Sequence, residues 1–284
     1  MGEPVRIYEM SPRDGVQNEK KLIATKDKIS LIDQLSDCGF THIEAASFVN
    51  PNWVPQMADA KDVLRGILRK IGVTYGALAP NLRGYQDAIS SGVDEIAIFG
   101  SASEGFSQKN INCSINESFM RFKPIFSALN IDNMKVRGYV SCVIECPYDG
   151  PTLPNMVAEV AWQMFEMGCY EISLGDTVGT GTPDSISRML DAVLTRIPAA
   201  KLAGHYHDTN NQALNNIEVS LNRELRVFDA SVGGLGGCPY APGAKGNVDT
   251  VAVARLMADL GYETGLDVSK LERVAKFAQS LRKG

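Results

Sequence analysis

Short apolar stretches of strand character alternate with longer amphipathic ones along the whole chain, and this alternation restricts the fold more than any other feature. Eight β-type runs are evident, at residues 5–9, 42–46, 74–79, 95–99, 135–140, 171–174, 201–206 and 226–231. Between them lie helical stretches at 25–38, 54–70, 82–90, 114–129, 155–167, 183–196 and 212–222. In the first of these, Ile29, Ile32 and Leu35 fall three apart and Leu31 stands four before Leu35, the spacing of one helix face. Gly39, Gly92 and Gly168 stand where a helix must stop before the next strand. Eight strand–helix repeats in 284 residues predict an α/β fold: one (β/α)8 barrel of TIM type over residues 1–284, with a final helix or two from Thr250. Neither a helical bundle nor an antiparallel sandwich alternates in this way. A doubly wound open sheet is the main competitor. No G-x-G-x-x-G follows the first strand, so a dinucleotide-binding sheet is not supported.

Composition narrows the function classes. The chain is 44% hydrophobic and 21% charged, which fits a globular protein with a substantial core. Lysines and arginines number 28 against 33 acidic residues, a net charge of −5, which argues against a general nucleic-acid binder. No apolar run approaches the ~18 residues of a membrane helix, and the N-terminus lacks signal or transit character. The six cysteines are dispersed without a CxxC pair, as expected of reduced, buried thiols in a cytoplasmic compartment; a trimmed presequence would make the mitochondrial matrix the alternative. The spacing of Cys142 and Cys146 also allows a metal reading, against the commoner one of core thiols.

Strand geometry gives the histidines significance. In Lys201-Leu-Ala-Gly-His-Tyr-His-Asp-Thr209, period-two alternation sends His205 and His207 to one face at the end of the seventh strand. Such a pair is half of a divalent-metal site, or else two polar residues on an exposed strand face. Active sites of these barrels lie at the C-terminal ends of the strands. Arg13 and Asp14 follow strand 1, Glu44 and Ser47 lie on strand 2, and strand 3 ends at Asn81. Arg137 and Tyr139 lie on strand 5, Asp176 ends strand 6, and Cys238 and Asn247 follow strand 8. Taken singly, Asp14 reads as a turn cap at Gly15 and Asp176 as a helix N-cap. Polar residues at one end of at least six strands are difficult to explain by structure alone. Asp14 offers an oxygen two strands round the ring from His205 and His207, and Asn247 an amide oxygen. This mixed set suits Mg2+ or Mn2+ better than structural zinc. The glycine-rich segment 233–246 reads either as a surface loop or as a lid that brings Cys238 over the mouth as an acid/base candidate.

These segments resemble the 3-hydroxy-3-methylglutaryl-CoA lyases of the metal-dependent lyase/synthase barrel family, from about Val5 to about Leu271. The resemblance is carried by Ser11-Pro-Arg-Asp-Gly-Val-Gln-Asn-Glu19, Ser47-Phe-Val-Asn-Pro-Asn-Trp-Val-Pro-Gln-Met57, Lys109-Asn-Ile-Asn-Cys-Ser114, Arg137-Gly-Tyr-Val-Ser-Cys142, Tyr170-Glu-Ile-Ser-Leu-Gly-Asp-Thr177, His205-Tyr-His-Asp-Thr209 and, most specifically, Gly234-Leu-Gly-Gly-Cys-Pro-Tyr-Ala-Pro-Gly-Ala244. It implies cleavage of 3-hydroxy-3-methylglutaryl-CoA to acetyl-CoA and acetoacetate, a step of leucine degradation and ketone-body formation. It implies metal ligation by Asp14, His205, His207 and Asn247. It further implies catalytic roles for Arg13, Asp14, Glu44, Asp176, His205 and Cys238, and substrate contacts from Arg13, Arg137 and Tyr139. The partner expected is an acyl-CoA, with Lys20, Lys21 and Lys109 as candidate phosphate contacts, in a homodimer. A related acyl-CoA/2-oxoacid synthase and a non-catalytic scaffold are the alternatives.

Three positions depart from the family pattern. Tyr206 stands where a cysteine is expected, Asn210-Asn211 replaces Tyr-Gly, and no acidic residue lies near position 251. The changes around Asn210 point to an acyl-CoA preference shifted toward a close homologue of the usual substrate.

Overall fold

The computed structural model describes residues 2–132, 134–236 and 245–282, with 130–132 as backbone only. Eight of its strands are β1 (Arg6–Glu9), β2 (His42–Ser47), β3 (Thr74–Leu78), β4 (Glu95–Ser101), β5 (Lys135–Ser141), β6 (Glu171–Asp176), β7 (Leu202–Tyr206) and β8 (Val227–Ala230). Each pairs in parallel with its neighbours, and β1 pairs with both β2 and β8, so the sheet closes on itself. The predicted barrel is therefore observed.

Strand alternation sorts the side chains into two apolar layers. Ile7, Ile43, Ile96, Val140, Leu174 and Phe228 point outward into the main core beneath the helices. Tyr8, Met10, Leu78, Ala97 and Tyr139 point inward and form a small core inside the barrel. The remaining inward positions of the described strands include Glu44, Arg137, Ser173, His205 and Asp229, so polar side chains share the interior with that core.

The helices are α1 (Thr25–Ser36), α2 (Ala60–Gly66), α3 (Leu82–Ser90), α4 (Glu104–Ile111), α5 (Ile115–Asp132), α6 (Pro154–Met167), α7 (Pro183–Leu194), α8 (Ala213–Leu221), α9 (Thr250–Asp259) and α10 (Val268–Arg282). Local chemistry sets several ends. Asn81 accepts the Gly84 N–H at 3.0 Å and starts α3. Thr182 and Ser185 form a reciprocal cap on α7, with Pro183 at its first position. Gly168 ends α6 at φ 111°, a left-handed conformation that glycine adopts without strain.

The expected helix at 54–70 is shorter than its pattern suggests. Pro55–Met57 forms a separate 3-10 turn, and α2 stops at Gly66 because Asp33 on α1 takes the Leu68 N–H at 2.8 Å. Leu68 and Ile71 are left exposed. Five elements went unpredicted: α4, the hairpin Glu145–Cys146/Gly150–Pro151, a π-turn over Ser11–Gly15, and the 3-10 turns Ala199–Lys201 and Val232–Gly234. The five described cysteines are buried and free; Cys142 and Cys146 pack with Phe106, which favours the core reading of that pair.

Candidate active site and metal centre

The site begins with the π-turn that follows β1. Pro12 has no N–H to contribute, and the Gly15 N–H reaches back five residues to Met10 O at 3.1 Å. This geometry presents consecutive residues, Arg13 and Asp14, to the barrel mouth. A Cβ on Gly15 would lie 2.6 Å from Ser231 Oγ and 2.9 Å from Leu235 Cβ, so only glycine lets the turn sit this close to the end of β8. Arg13 donates from Nε to buried Glu44 and from Nη1 to Asp14. Tyr139 Oη also donates to Glu44, at 3.1 Å. Burial raises the Glu44 carboxyl against the opposing pull of Arg13.

β7 supplies His205, and His207 follows its last residue, bridged to Asn247. His205 and His207 stand with ring centroids 5.5 Å apart, as strand alternation predicts. Register sets the buttress behind them: Asp229 on β8 is the cross-strand partner of His205 and accepts from its Nδ1 at 3.1 Å. The same carboxylate accepts from Ser173 Oγ at 2.7 Å and from Arg137 Nη1 and Nη2 at 3.0 and 2.7 Å. Burial would raise its pKa, but Arg137 and His205 overcome this and hold it well below the usual carboxylate range. The ionised Asp229 keeps the proton on His205 Nδ1 and leaves Nε2 facing the site, 3.8 Å from Asp14 Oδ2.

The donor set fits a divalent cation. One ligand atom each from Asp14, His205 and His207 lies within 4.8 Å of the others. Ligand atoms about 2.1 Å from a common ion sit roughly 3–4 Å apart, so little contraction is needed. Asn247 completes the group, its Nδ2 donating to Asp14 Oδ2 at 2.8 Å. His207 Nδ1 is buried and without a hydrogen-bond partner among the described residues. Burial and then His205 lower the His207 pKa to about 4, so its imidazole is neutral at neutral pH. Burial opposes ionisation of Asp14, but Arg13 and both histidines bring it down to about 2. A carboxylate and neutral imidazole are the forms that ligate metal.

A cavity of about 590 Å3 opens above this group. Arg13, Asp14, Tyr139, His205 and His207 line one part of it; Val49, Leu78, Phe99, Phe106 and Phe122 make much of the rest apolar.

The structure thus brings Arg13, Asp14, Tyr139, His205, His207 and Asn247 together. Glu44 and Arg137 lie beneath them, fully buried and absent from the cavity wall. Arg137, expected at the substrate, instead binds Glu171, Asp229 and the Tyr139 hydroxyl. Asp176 also lies outside the wall. Alternation on β6 turns Ser173 and Gly175 inward and Asp176 outward, where it accepts the Gly179 and Gly181 N–H groups at 3.1 and 2.8 Å. Burial raises its carboxyl to about 6 against those hydrogen bonds. Tyr206 likewise points away and meets Ser220 Oγ at 2.7 Å. Lys20, Lys21 and Lys109 are exposed. Cys238 lies outside the described residues. Sequence reading missed Asp229; its inward position on β8 was the only available signal.

The family model described as HMGL-like matches residues 4–278. A Pseudomonas aeruginosa protein named 3-hydroxy-3-isohexenylglutaryl-CoA/hydroxy-methylglutaryl-CoA lyase is 54% identical over 94% of this chain and 89% of its own length. The mitochondrial hydroxymethylglutaryl-CoA lyase of Rattus norvegicus is 52% identical over 96% of this chain and 84% of its own. Among solved structures, the HMG-CoA lyase of Brucella melitensis superposes with a TM-score of 0.98 at 59% identity, covering 99% of this chain and all of that one.

Proposed function

The chain belongs to the HMGL-like family, and we propose that it cleaves 3-hydroxy-3-methylglutaryl-CoA into acetyl-CoA and acetoacetate. The observation that carries this reading is the convergence of Asp14, His205, His207 and Asn247 on one point beside Arg13, at the floor of a cavity lined by polar and apolar side chains together. A divalent ion held by those four residues, Mg2+ or Mn2+, supplies Lewis acidity toward a neighbouring oxygen acid. A half-turn of the Asn247 amide exchanges the Nδ2 that now faces Asp14 for the oxygen that ligation requires.

Cleavage needs the C3 hydroxyl proton to leave and the C2–C3 bond to break. The electron pair then passes to the thioester as an enolate, and a proton returns to C2. Arg13 is the group for the enolate oxygen. Glu44 and Asp14 fix its guanidinium, it faces the cavity, and its charge does not titrate. A preorganised donor of this kind contributes ~3 kcal/mol to the transition state. With His205 Nδ1 protonated and its Nε2 turned to the ion, the second carboxylate oxygen of Asp14 is the base within reach of the hydroxyl, and Cys238, on the glycine-rich segment, returns the proton. Glu44, Arg137 and Asp176 act through the groups that they hold: Arg13, Asp229 with Tyr139, and the 179–181 loop. The apolar wall suits an acyl-CoA arm, and the exposed lysines Lys20, Lys21 and Lys109 suit its phosphates. The assembly expected is a homodimer, which light scattering reads directly. Among the described residues no helix is long and apolar enough to cross a membrane.

Product analysis tests the reaction. Purified protein with Mg2+ or Mn2+ should release acetyl-CoA and acetoacetate in equal amounts, and chelation should stop it. Turnover that persists after complete metal removal would refute the metal-dependent reading.

A further inference from the structure

Glu9, the last residue of β1, is completely buried, yet no cation pairs with it among the described residues. A carboxyl in that situation is expensive to keep, because nothing offsets its lost hydration. Its hydrogen bonds explain what it does. Oε1 accepts the N–H of Ser11 at 2.9 Å and the N–H of Val232 at 3.0 Å. Oε2 accepts from Thr250 Oγ1 at 2.7 Å. Ser11 opens the π-turn that carries Arg13 and Asp14. Val232 opens the short turn at the root of the glycine-rich loop. Thr250 opens α9, three residues after Asn247. One side chain therefore joins the three segments that bring Asp14, the loop and Asn247 to the mouth.

The three segments also pack on one another. The Asn247 N–H reaches Gly236 O at 3.2 Å, and the Ser231 N–H reaches Val248 O at 3.0 Å. A Cβ on Gly236 would lie 2.7 Å from Asn247 Nδ2 and 3.1 Å from Gly15 Cα. With so little clearance, a shift of one segment displaces a ligand atom on another.

We propose that Glu9 is a positioning residue for the metal centre, setting where the Asp14 turn, the root of the glycine-rich loop and the Asn247 segment lie relative to one another. This rests on the metal-dependent reading above. Burial pushes the Glu9 carboxyl up to about 7 against its hydrogen bonds, so a neutral form fits the same site. A glutamine keeps the oxygen for both N–H groups and offers its NH2 to the Thr250 hydroxyl, which can accept. Glutamine should thus preserve the link and alanine should remove it.

The test is calorimetric titration of Mn2+ into the metal-free protein. Supporting partners outside the ligand set typically change metal affinity about 10–100-fold. Glu9→Ala should weaken Mn2+ binding by at least about tenfold, and Glu9→Gln should stay within about threefold of the parent. Hydrogen exchange should quicken in Glu9→Ala at residues 11–16 and 231–236. If Glu9→Ala does not fold, Glu9→Asp, one methylene short of its partners, is read in its place with the same expectation. A variant that loses thermal stability but binds Mn2+ like the parent would overturn the proposal, as would Glu9→Gln binding no better than Glu9→Ala. A parent protein that binds no Mn2+ would instead reject the metal-dependent reading and this proposal with it.

Discussion

Replacing Asp229 with asparagine keeps the shape of the His205 buttress and removes its charge. The carboxylate now takes hydrogen bonds from four donors, three on Oδ2 (Arg137 Nη1, Ser173 Oγ and His205 Nδ1) and one on Oδ1 (Arg137 Nη2). An amide must put its NH2 on one of those sites. On the Oδ2 side it would oppose three donors, and on the Oδ1 side only one, so the carbonyl oxygen stays toward His205. The imidazole then keeps its Nδ1–H, and Nε2 still faces the site. The variant loses one buried hydrogen bond and leaves Glu171 as the one carboxylate facing the fully buried Arg137 charge among the described residues. Breaking a buried ion pair from one side costs about 3–5 kcal/mol, which in a protein of this size lowers Tm by roughly 5–8 °C. Mn2+ affinity should fall by about 10–100-fold, because an amide supports the imidazole less strongly than a carboxylate. Scanning calorimetry and Mn2+ titration measure the two effects separately. The double variant Asp229→Asn/Arg137→Met decides the cause: if charge compensation dominates, it is less destabilised than the two single changes summed. Additive losses, or a Tm for Asp229→Asn within about 2 °C of the parent, would refute the reasoning.

Arg13→Met should keep its Mn2+ content yet lose about two to three decades in kcat; near-normal turnover in the loaded enzyme would remove Arg13 from the role assigned to it. Adding Mn2+ or Mg2+ at about 100 times its Kd should stabilise the metal-free protein by ~2.7 kcal/mol in urea titrations, and His207→Ala should abolish that gain. An equal gain in the variant would place the ion elsewhere. Glu9 gives stability an inverse pH dependence. Its folded pKa, about 7, lies above the ordinary glutamate value of 4.5. Its contribution is fully present below about 4.5 and is lost as pH rises through 7, by roughly 3 kcal/mol in all. Glu9→Gln should therefore gain on the parent between pH 5 and pH 8, and a constant difference in unfolding free energy would contradict the assignment.

The strands could be read in the sequence because each is short, mostly apolar and bounded by helical stretches, and the histidine pair because period-two alternation needs no partner strand. Alternation also had more to give: it turns Asp176 away from the cavity once the strand is known to extend to it. Asp229 was harder to find, since its value depends on the register that sets it opposite His205, and register is a property of two strands at once. Arg137 sits at the correct strand but one layer too deep to meet a ligand, because Asp229 and Glu171 hold it. The π-turn has no period to detect, and α4 carries only two large apolar residues, Phe106 and Ile111, in eight. At α2 the amphipathic pattern ran past the point where Asp33 captures the chain.

The residues that converge beside Arg13 straddle the seam where the barrel closes. Asp14 leaves the first strand, the histidines stand at the end of the seventh and Asn247 follows the eighth; Asp14 and Asn247 touch across 233 positions of chain. No N-terminal portion that ends before Asn247 contains the whole centre. During synthesis the ribosome must release nearly everything before an ion can find its full set of donors, and contacts so remote in sequence form late. An ion that needs all four donors can thus be held only after Asn247 has emerged, and any shorter fragment offers at most the Asp14, His205 and His207 set.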